Sequence, residues 1–518
     1  MRQEVSEAPL SPAVALTGIR KQFGAVRAND GVDLRVDAGT VHGLIGENGA
    51  GKSTLMAILY GYYQADAGRI EVNGEAVAIR NSHEAIALGI GMVHQHFMLV
   101  DTLTALDNVM LGAEPSWNLK AGQASVRAGL QKLMAETGLS VRLDERVDAL
   151  PVGELQRLEI LKALYRGAKI LILDEPTAVL TPQETQQLFE VLRGLRARGT
   201  TIILITHKLK EVMALCDAIT VMRAGTVVHR CLASETNEAL LAEAMVGRKV
   251  VLGREGAAHR PEGEPLLEAE GLALRSAHGV PLLNGVSLRL RPGEIVGVAG
   301  VSGNGQSELL EVLSGLMKPS SGRLQLAGER FGPEAWLHPR RARELGLAHV
   351  PEDRHACGLV MAFPAWESAA LGYQDLPKYR SGPFGLAGAR LREATAAMME
   401  RFDVRPRNAL LGSSKFSGGN QQKLILAREI GENPRVLLVG QPTRGVDIGA
   451  IEFIHAQLRL LRDAGCAVLV VSSELDEILA LADRVLVMNS GRITGELDID
   501  ECDERSLGLL MAAQVEAA

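Results

Sequence analysis

The sequence predicts an α/β protein with two domains of the same kind, each a mostly parallel sheet covered by helices. Three observations support this fold class. Five short segments recur in the same order, 254 to 266 residues later. Buried β-branched runs such as TIILITH (201–207) alternate with amphipathic helical segments, which is typical of parallel sheets. At 518 residues the chain is also too long to form one core.

The internal repeat defines the predicted domains. GLIGENGAGKST (43–54) is echoed by GVAGVSGNGQSE (297–308), and DEPT (174–177) is echoed by GQPT (440–443). Such a long period indicates whole domains and not solenoid units. The residues between Gln95 and Leu150 look helical and predict a small subdomain. We expect a flexible N-terminus at 1–12, a first domain at 13–249, a linker rich in Gly, Pro and charge at 250–265, a second domain at 266–510, and a tail at 511–518.

Apolar runs, net charge and cysteine positions disfavour several classes of protein. No apolar run is long enough for a membrane span, and the N-terminus lacks the pattern of a secretory signal. The net charge of −7 disfavours a nucleic-acid partner, since phosphate backbones attract basic surfaces. The five cysteines are scattered without a C-x-x-C pair, as in reduced cytoplasmic proteins. We therefore expect a cytoplasmic protein that binds no nucleic acid.

The first chemical motif is a phosphate-binding loop. GENGAGKS fits the pattern G-x-x-x-x-G-K-[ST], and it lies between a predicted strand and a predicted helix, so that the alternative of a plain glycine-rich turn is disfavoured. Glycines let backbone N–H groups surround a phosphate, Lys52 can reach the β- and γ-phosphates, and the Ser53 hydroxyl can hold Mg²⁺. The predicted nucleotide-binding residues of this loop are Gly46, Glu47, Asn48, Gly49, Ala50, Gly51, Lys52, Ser53 and Thr54.

A second motif, ILILDEPT (170–177), places two carboxylates at the end of a buried strand, where α/β proteins bind ligands. Asp174 is predicted to hold Mg²⁺ through water. Glu175 is predicted to orient or deprotonate the attacking water. A strand that ends in Asp-Glu is common by itself, and the phosphate loop earlier in the chain strengthens the interpretation.

GENGAGKST and ILILDEPT, together with Gln95 and His207, resemble an ABC-type ATPase domain of the P-loop NTPase fold. The resemblance implies that Gln95 senses Mg²⁺ and the transport partner and that His207 contacts the γ-phosphate. It also implies that Phe23, in KQFG, stacks on adenine. Taken singly, His207 could be a structural histidine and Phe23 a core residue.

ABC domains work as head-to-tail pairs, so that each ATP lies between the P-loop of one domain and a signature sequence of the other. The P-loop side of the second copy has lost its functional groups. The replacements are Gln306 for Lys52, Gly440 for Asp174, Gln441 for Glu175, Ser473 for His207 and Glu352 for Gln95. Its signature FSGGN (416–420) is intact, however, and predicts that Ser417, Gly418, Gly419 and Asn420 bind nucleotide held by the first copy.

The first copy shows the opposite pattern. Its P-loop side is complete, but its signature reads LPVGE (150–154), in which Pro151 has no hydroxyl or N–H to donate and Glu154 adds negative charge. Thr181 stands where the second copy has Asp447. All losses therefore fall on one composite site. This distribution predicts one hydrolytic site and one that at most holds nucleotide, and it disfavours the alternative that the second copy is a structural relic.

The tandem arrangement, SGGNQQK and QPTRGVDIGAIE are similar to the ATP-binding subunits of bacterial simple-sugar and nucleoside importers. HQHFMLVDTLTALDNVMLG and VPEDRHACGLV favour the nucleoside branch, which is linked to basic membrane proteins. The resemblance implies ATP and Mg²⁺ as cofactors, integral-membrane permease subunits and an extracytoplasmic solute-binding protein as partners. It also implies a peripheral location on the cytoplasmic face of the inner membrane. The ABC domains would pair within one chain or in a homodimer.

Two other classes stay open at this point. A soluble tandem ABC ATPase that acts on ribosomes or nucleic acid is expected to keep both catalytic glutamates and to carry a long charged linker. An exporter ATPase is the other, and the paired QPTRG and SGGNQQK sequences count against it.

Overall fold

A computed structural model describes residues 12–24, 26–94, 97–113, 119–177, 180, 182–249, 254, 259, 263–276, 278–301, 303–382 and 385–512. The chain divides into two compact units, residues 1–250 and 251–518.

The first unit contains ten strands and eight α-helices among its described residues. The strands are β1 (Pro12–Phe23), β2 (Val26–Asp37), β3 (Val41–Gly46), β4 (Ala67–Val72), β5 (Glu75–Val77), β6 (Ile90–Val93), β7 (Ile170–Asp174), β8 (Thr201–Thr206), β9 (Ala218–Arg223) and β10 (Thr226–Leu232). The helices are α1 (Lys52–Leu59), α2 (Ser82–Ala87), α3 (Ala105–Met110), α4 (Leu119–Thr137), α5 (Val152–Tyr165), α6 (Pro182–Ala197), α7 (Leu209–Leu215) and α8 (Glu238–Val246).

The described part of the second unit repeats this series. Its strands are β11 (Leu267–Arg275), β12 (Pro281–Leu290), β13 (Ile295–Ala299), β14 (Ser321–Leu326), β15 (Glu329–Phe331), β16 (Leu347–Val350), β17 (Val436–Gly440), β18 (Ala467–Ser472), β19 (Arg484–Asn489) and β20 (Arg492–Asp498). Its helices are α9 (Gln306–Leu313), α10 (Pro339–Glu344), α11 (Ala365–Ser368), α12 (Gly388–Arg401), α13 (Gly418–Ile430), α14 (Ile448–Asp463), α15 (Leu475–Leu481) and α16 (Glu504–Ala512).

Each unit has the same two sheets. In the first unit a four-stranded antiparallel sheet has the order β2-β1-β4-β5, and a six-stranded sheet has the order β10-β9-β3-β8-β7-β6. The five strands from β9 to β6 are parallel, and β10 is an antiparallel edge strand. The second unit has the orders β12-β11-β14-β15 and β16-β17-β18-β13-β19-β20, which is the same topology. The predicted α/β fold class is confirmed in both copies.

The central strands form because their residues are apolar on both faces. Every residue of β3, β7 and β8 is buried, as expected for a parallel sheet that helices cover on both sides. The spacing of Leu188, Val191, Leu192 and Leu195 predicts one apolar face on α6, and the structure buries the three leucines and half-buries Val191. The segment between β6 and β7 contains α3, α4 and α5, so the predicted helical subdomain is also present.

The topology places the functional segments side by side. Strands β3, β8 and β7 are neighbours and run parallel, so their carboxyl ends lie at one edge of the sheet. Those ends lead into the phosphate loop, the Asp174–Glu175 pair and His207. In the described ranges, no helix is both long and apolar enough to cross a membrane.

Candidate functional site

The phosphate loop of the first unit connects β3 to α1, and its backbone passes very close to its neighbours. Gly46 has φ 156°, and a Cβ there would lie 2.2 Å from the Met222 carbonyl oxygen. Gly51 caps α1 in the left-handed region with φ 96°, and a Cβ there would lie 2.2 Å from the Ala28 carbonyl oxygen. Both positions need glycine, so the motif's glycines shape the loop as well as expose its N–H groups.

Lys52 lies under this loop with only 6% of its surface exposed. Its Nζ donates to the carbonyl oxygens of Gly46 at 2.7 Å and Glu47 at 3.0 Å. Burial lowers the pKa of Lys52, while the charges of Glu175, Asp174 and Glu47 act in the opposite direction. A buried ammonium with carboxylates nearby is suited to bind the phosphates of a nucleotide.

Asp174 ends β7 and meets the first turn of α1. Its side chain is largely buried, and its pKa is raised by burial and by the charge of Glu175. A hydrogen bond from the Ser53 hydroxyl acts in the opposite direction. The structure thus brings together a hydroxyl and a carboxylate, which are the oxygen ligands that a nucleotide-bound Mg²⁺ takes from P-loop proteins.

Glu175 and His207 form a pair across the neighbouring strands β7 and β8. His207 Nδ1 lies 2.9 Å from Glu175 Oε1, and both side chains are partly exposed. Burial opposes ionisation of Glu175, but the hydrogen bond and charge of His207, with the charges of Lys52 and Lys208, lower the pKa of this carboxyl. Glu175 is therefore ionised at neutral pH and can accept a proton from water.

Phe23 lies at the end of β1 with 42% of its surface exposed, so it is not a core residue. Its ring meets Tyr63 edge-to-face with centroids 5.1 Å apart, and Lys21 Nζ lies 5.4 Å from the ring centroid. The strand paired with β1 carries Ala28, whose carbonyl contacts the loop at Gly51. Stacking of adenine on Phe23 stays a prediction. Gln95 and Thr181 lie outside the described residues.

In the second unit, Gln306 takes the place of the lysine with similar burial, 7% exposed. Its Nε2 donates to the carbonyl oxygen of Val301 at 3.2 Å, as Lys52 does to that of Glu47. The amide thus satisfies a loop carbonyl but supplies no positive charge for a phosphate.

The Glu175–His207 pair is also replaced, while φ at its first position stays the same. Gln441 has φ 47°, the same value as Glu175. The backbone N–H and the hydroxyl of Ser473 each donate to Gln441 Oε1 at 3.1 Å. A neutral hydrogen-bonded pair therefore occupies the place of the Glu175–His207 pair.

Gly440 stands where the first unit has Asp174, and its neighbours lie close to it. A Cβ at Gly440 would lie 2.9 Å from both the Glu352 backbone nitrogen and Leu310 Cδ1. The Glu352 carboxylate accepts a hydrogen bond from the Ser307 hydroxyl and lies 3.7 Å from Arg444 Nη1. The Ser307 hydroxyl is therefore paired with the Glu352 carboxylate, and the position of Asp174 has no side chain in the second unit.

Gly440→Asp is expected to destabilise the protein by about 1–3 kcal/mol, because the added atoms overlap backbone and a core leucine. Thermal unfolding followed by calorimetry measures the effect. Gly332→Asp is the matched control, since a Cβ at Gly332 meets nothing within 4 Å. Equal unfolding temperatures for the two variants would contradict the packing argument.

The intact signature begins α13 in the second unit. Ser417 is the exposed N-cap residue and makes no side-chain bond to the helix N–H groups, while its hydroxyl accepts from Asn420 Nδ2 at 2.9 Å. A Cβ at Gly419 would lie 3.1 Å from Asp447 Oδ2, and Asp447 caps α14 through the Ala450 N–H at 2.8 Å. The helix N-terminus is therefore available to an anion, and its glycine fits closely against the next helix.

The degenerate signature begins α5 of the first unit after Pro151. Glu154 pairs with Arg142 at 3.1 Å. A Cβ at Gly153 would lie 2.4 Å from Glu184 Oε1. Two carboxylates thus lie at this helix N-terminus, where a phosphate would otherwise bind, and their negative charge opposes one.

Two buried residues that support the site are not predicted from the sequence. Asn29, only 2% exposed, donates from Nδ2 to the Gly51 carbonyl oxygen at 3.1 Å and so fixes the end of the phosphate loop. Glu211 accepts hydrogen bonds from Thr177 and Thr206, which flank the catalytic pair. A sequence signal existed only for Glu211, because the repeat retains a glutamate at Glu477.

The chain matches the family described as "ABC transporter" over residues 29–178 and 283–444. It is 44% identical to the guanosine import ATP-binding protein NupO of Bacillus subtilis (strain 168), over 97% of this chain and 98% of that protein. It is 45% identical to the nucleoside import ATP-binding protein NupA of Lactococcus lactis subsp. cremoris (strain MG1363), over 96% and 97%.

A ribose import ATP-binding protein, RbsA 1 of Rubrobacter xylanophilus, is 39% identical to the chain over 97% of its length and 99% of that protein's. Among solved structures, one titled RNase-L Inhibitor superposes with a TM-score of 0.64 at 19% identity, covering 95% of this chain and 93% of that one. At this identity the structural similarity shows the fold alone.

Proposed function

We propose that this chain, which belongs to the ABC transporter family, hydrolyses ATP at one site to drive the import of a nucleoside. The chain is an import ATPase of the transporter type. Relatives that match it over nearly their whole length are named as import proteins for nucleosides or sugars, so action on ribosomes or nucleic acid is not favoured.

The observation that carries the one-site proposal is the asymmetry of the two phosphate loops. Lys52, Asp174, Glu175 and His207 converge at one sheet edge of the first unit. The matching positions of the second unit hold neutral side chains or none, and they are packed in that state.

In the first unit each residue has a separate role. Lys52 and the loop N–H groups bind the phosphates, and Ser53 and Asp174 hold Mg²⁺, with Gln95 as a further expected ligand. When bound, Mg²⁺ neutralises charge on the β- and γ-phosphates. Glu175 accepts the proton of the attacking water, His207 orients Glu175 and meets the γ-phosphate, and Phe23 stacks on adenine.

The remaining part of the site comes from a signature sequence. Ser417, Gly418, Gly419 and Asn420 would face the γ-phosphate of ATP held by a first unit, either of the same chain or of another copy. This proposal is supported by the N-terminus of α13, where no side chain caps the helix N–H groups. The other combination, the second phosphate loop with Pro151 and Glu154, at most holds nucleotide, because it lacks the lysine and adds carboxylates.

We further propose nucleoside as the cargo class, supported by two relatives with 44% and 45% identity that are named for guanosine and nucleoside import. Sugars are the second candidate, supported by the 39% identical ribose import relative. The partners would be membrane permease subunits and an extracytoplasmic solute-binding protein. The chain would act at the cytoplasmic face of the cell membrane.

Transport by the reconstituted system tests this proposal. The chain is combined with its permease subunits in liposomes that enclose ATP, and its solute-binding protein is added outside. Uptake of radiolabelled guanosine and uridine should depend on ATP and fail with Glu175→Gln, whereas ribose uptake should stay at background. Uptake of ribose alone would assign the chain to the sugar branch, and ATP-independent uptake of all solutes would contradict an energising role.

A further inference from the structure

Glu211 is a buried carboxylate that the proposed chemistry does not use. It lies in the first turn of α7 and is 7% exposed. Its Oε1 accepts a hydrogen bond from Thr177 Oγ1 at 2.5 Å, and its Oε2 accepts one from Thr206 Oγ1 at 3.3 Å. One carboxylate therefore connects two segments that are far apart in the sequence.

Both segments carry a residue of the catalytic pair. Thr177 follows Glu175 by two residues, and Thr206 directly precedes His207. The hydroxyl of Thr206 also accepts from the Lys208 backbone N–H at 3.0 Å, which fixes the backbone on the far side of His207. Glu211 thus holds the chain on both sides of the Glu175–His207 contact.

The second unit provides an internal comparison, because Glu477 occupies the matching position in α15 and is equally buried, 5% exposed. Its Oε1 lies 3.2 Å from His455 Nε2 instead, and in the described chain its Oε2 has no hydrogen-bond partner. The hydroxyl of Ser472, which matches Thr206, accepts from the Glu474 N–H at 3.0 Å. The bridge between the two strand ends is therefore specific to the first unit.

The φ angle at the start of the two segments does not account for this difference. Glu175 and Gln441 both have φ 47°, although only the first is followed by a threonine bonded to the buried glutamate. The bridge through Glu211 occurs in the unit with the Glu175–His207 pair. It is absent from the unit in which the neutral pair Gln441–Ser473 stands instead.

We infer that Glu211 is a positioning residue for ATP hydrolysis, which holds Thr177 and Thr206 so that Glu175 and His207 keep their catalytic geometry. Burial raises the pKa of Glu211, while Lys208 and the two threonine hydroxyls act in the opposite direction. Its hydrogen bonds go to Thr177 and Thr206, whereas the Lys52 Nζ and the Ser53 hydroxyl bond to other groups. Loss of Glu211 should therefore affect turnover and leave nucleotide binding intact.

Glu211→Gln is expected to lower kcat about 10- to 100-fold with the KM for ATP changed less than about twofold, because small misplacements of catalytic groups cost this much. The carboxamide keeps the shape of the side chain but removes its negative charge, and its N–H₂ group cannot accept a hydrogen bond from one of the two hydroxyls, so both charge-assisted bonds are lost. Steady-state hydrolysis by the full chain and equilibrium binding of labelled ATP measure the two effects. Glu477→Gln, the matched change in the second unit, should leave both unchanged.

Two variants of Thr177 provide an independent test of the same inference. Thr177→Ser keeps the hydroxyl and should retain kcat, whereas Thr177→Val keeps the volume without it and should lower kcat as Glu211→Gln does. Comparison of Thr177→Ser with Thr177→Val tests the positioning role of Glu211 even if Glu211→Gln does not fold. Equal losses of kcat from Glu211→Gln and Glu477→Gln, or from the serine and valine variants, would overturn the inference. So would a loss of ATP affinity parallel to the loss of kcat.

Discussion

Glu175→Gln is expected to reduce ATP turnover by the full chain at least about 100-fold, because it removes the proton acceptor from the water that attacks the γ-phosphate. The matched change in the other direction, Gln441→Glu, is expected to alter turnover less than about twofold. Gln441 faces Ser473 instead of a histidine, and the adjacent Gly440 supplies no carboxylate for a metal ion. A glutamate at position 441 would therefore lack both a histidine partner and a neighbouring carboxylate for a metal ion, so it should not restore hydrolysis in the second unit.

Steady-state ATP hydrolysis measures this difference, and binding of labelled ATP provides the control. Glu175→Gln should bind ATP as the unmodified chain does, since Lys52 and the phosphate loop are untouched. Comparable losses of turnover from Glu175→Gln and Gln441→Glu would show that both units hydrolyse ATP and would exclude the one-site proposal.

Ser417→Arg is expected to reduce turnover as strongly as Lys52→Ala, about 100-fold or more, although the two residues belong to different units. The reason is the proposed shared site, in which the N-terminus of α13 binds the γ-phosphate. An arginine in place of this small, exposed N-cap residue would block the approach to the helix N–H groups.

Pro151→Arg is the matched control, because Pro151 holds the position of Ser417 in the first unit, at the end of α5 that contains Glu154 and lies against Glu184 of α6. Hydrolysis by this variant should stay within about twofold of the unmodified chain. If Ser417→Arg leaves hydrolysis intact, or if Pro151→Arg is equally harmful, the assignment of the signatures to the two composite sites is wrong.

Much of the fold was predictable because its signals are local. The run from Ile170 to Leu173 is apolar on both faces and so predicts a buried parallel strand, and α6 shows its apolar stripe directly in the spacing of its leucines. The glycines of GENGAGKS were recognisable because the chemistry of a phosphate loop needs them at fixed positions. The duplication was detectable because both copies retain the same order of motifs.

The sequence also shows that the second unit has lost its charged site residues. It does not show how the replacement residues pack in the folded protein. A glutamine at 306 predicts a missing charge, while only the structure shows that its amide replaces the lysine's bond to a loop carbonyl. A glycine at 440 predicts a missing carboxylate. It does not predict that the Glu352 backbone and the Leu310 side chain lie within 2.9 Å of where an aspartate Cβ would be.

The tandem α/β architecture, the phosphate loop, the Asp174–Glu175 pair and the unequal division of motifs between the two copies can all be recognised in the sequence. The side chains that support them are seen only in the folded chain: Asn29 at the loop, Glu184 against Gly153, and Glu211 between Thr177 and Thr206. The two kinds of feature differ in how far apart their residues lie in the sequence. Motifs depend on backbone conformation and residue type within a few positions, whereas Thr177 and Glu211 are 34 residues apart and meet only because β7 and β8 are neighbours in the folded sheet.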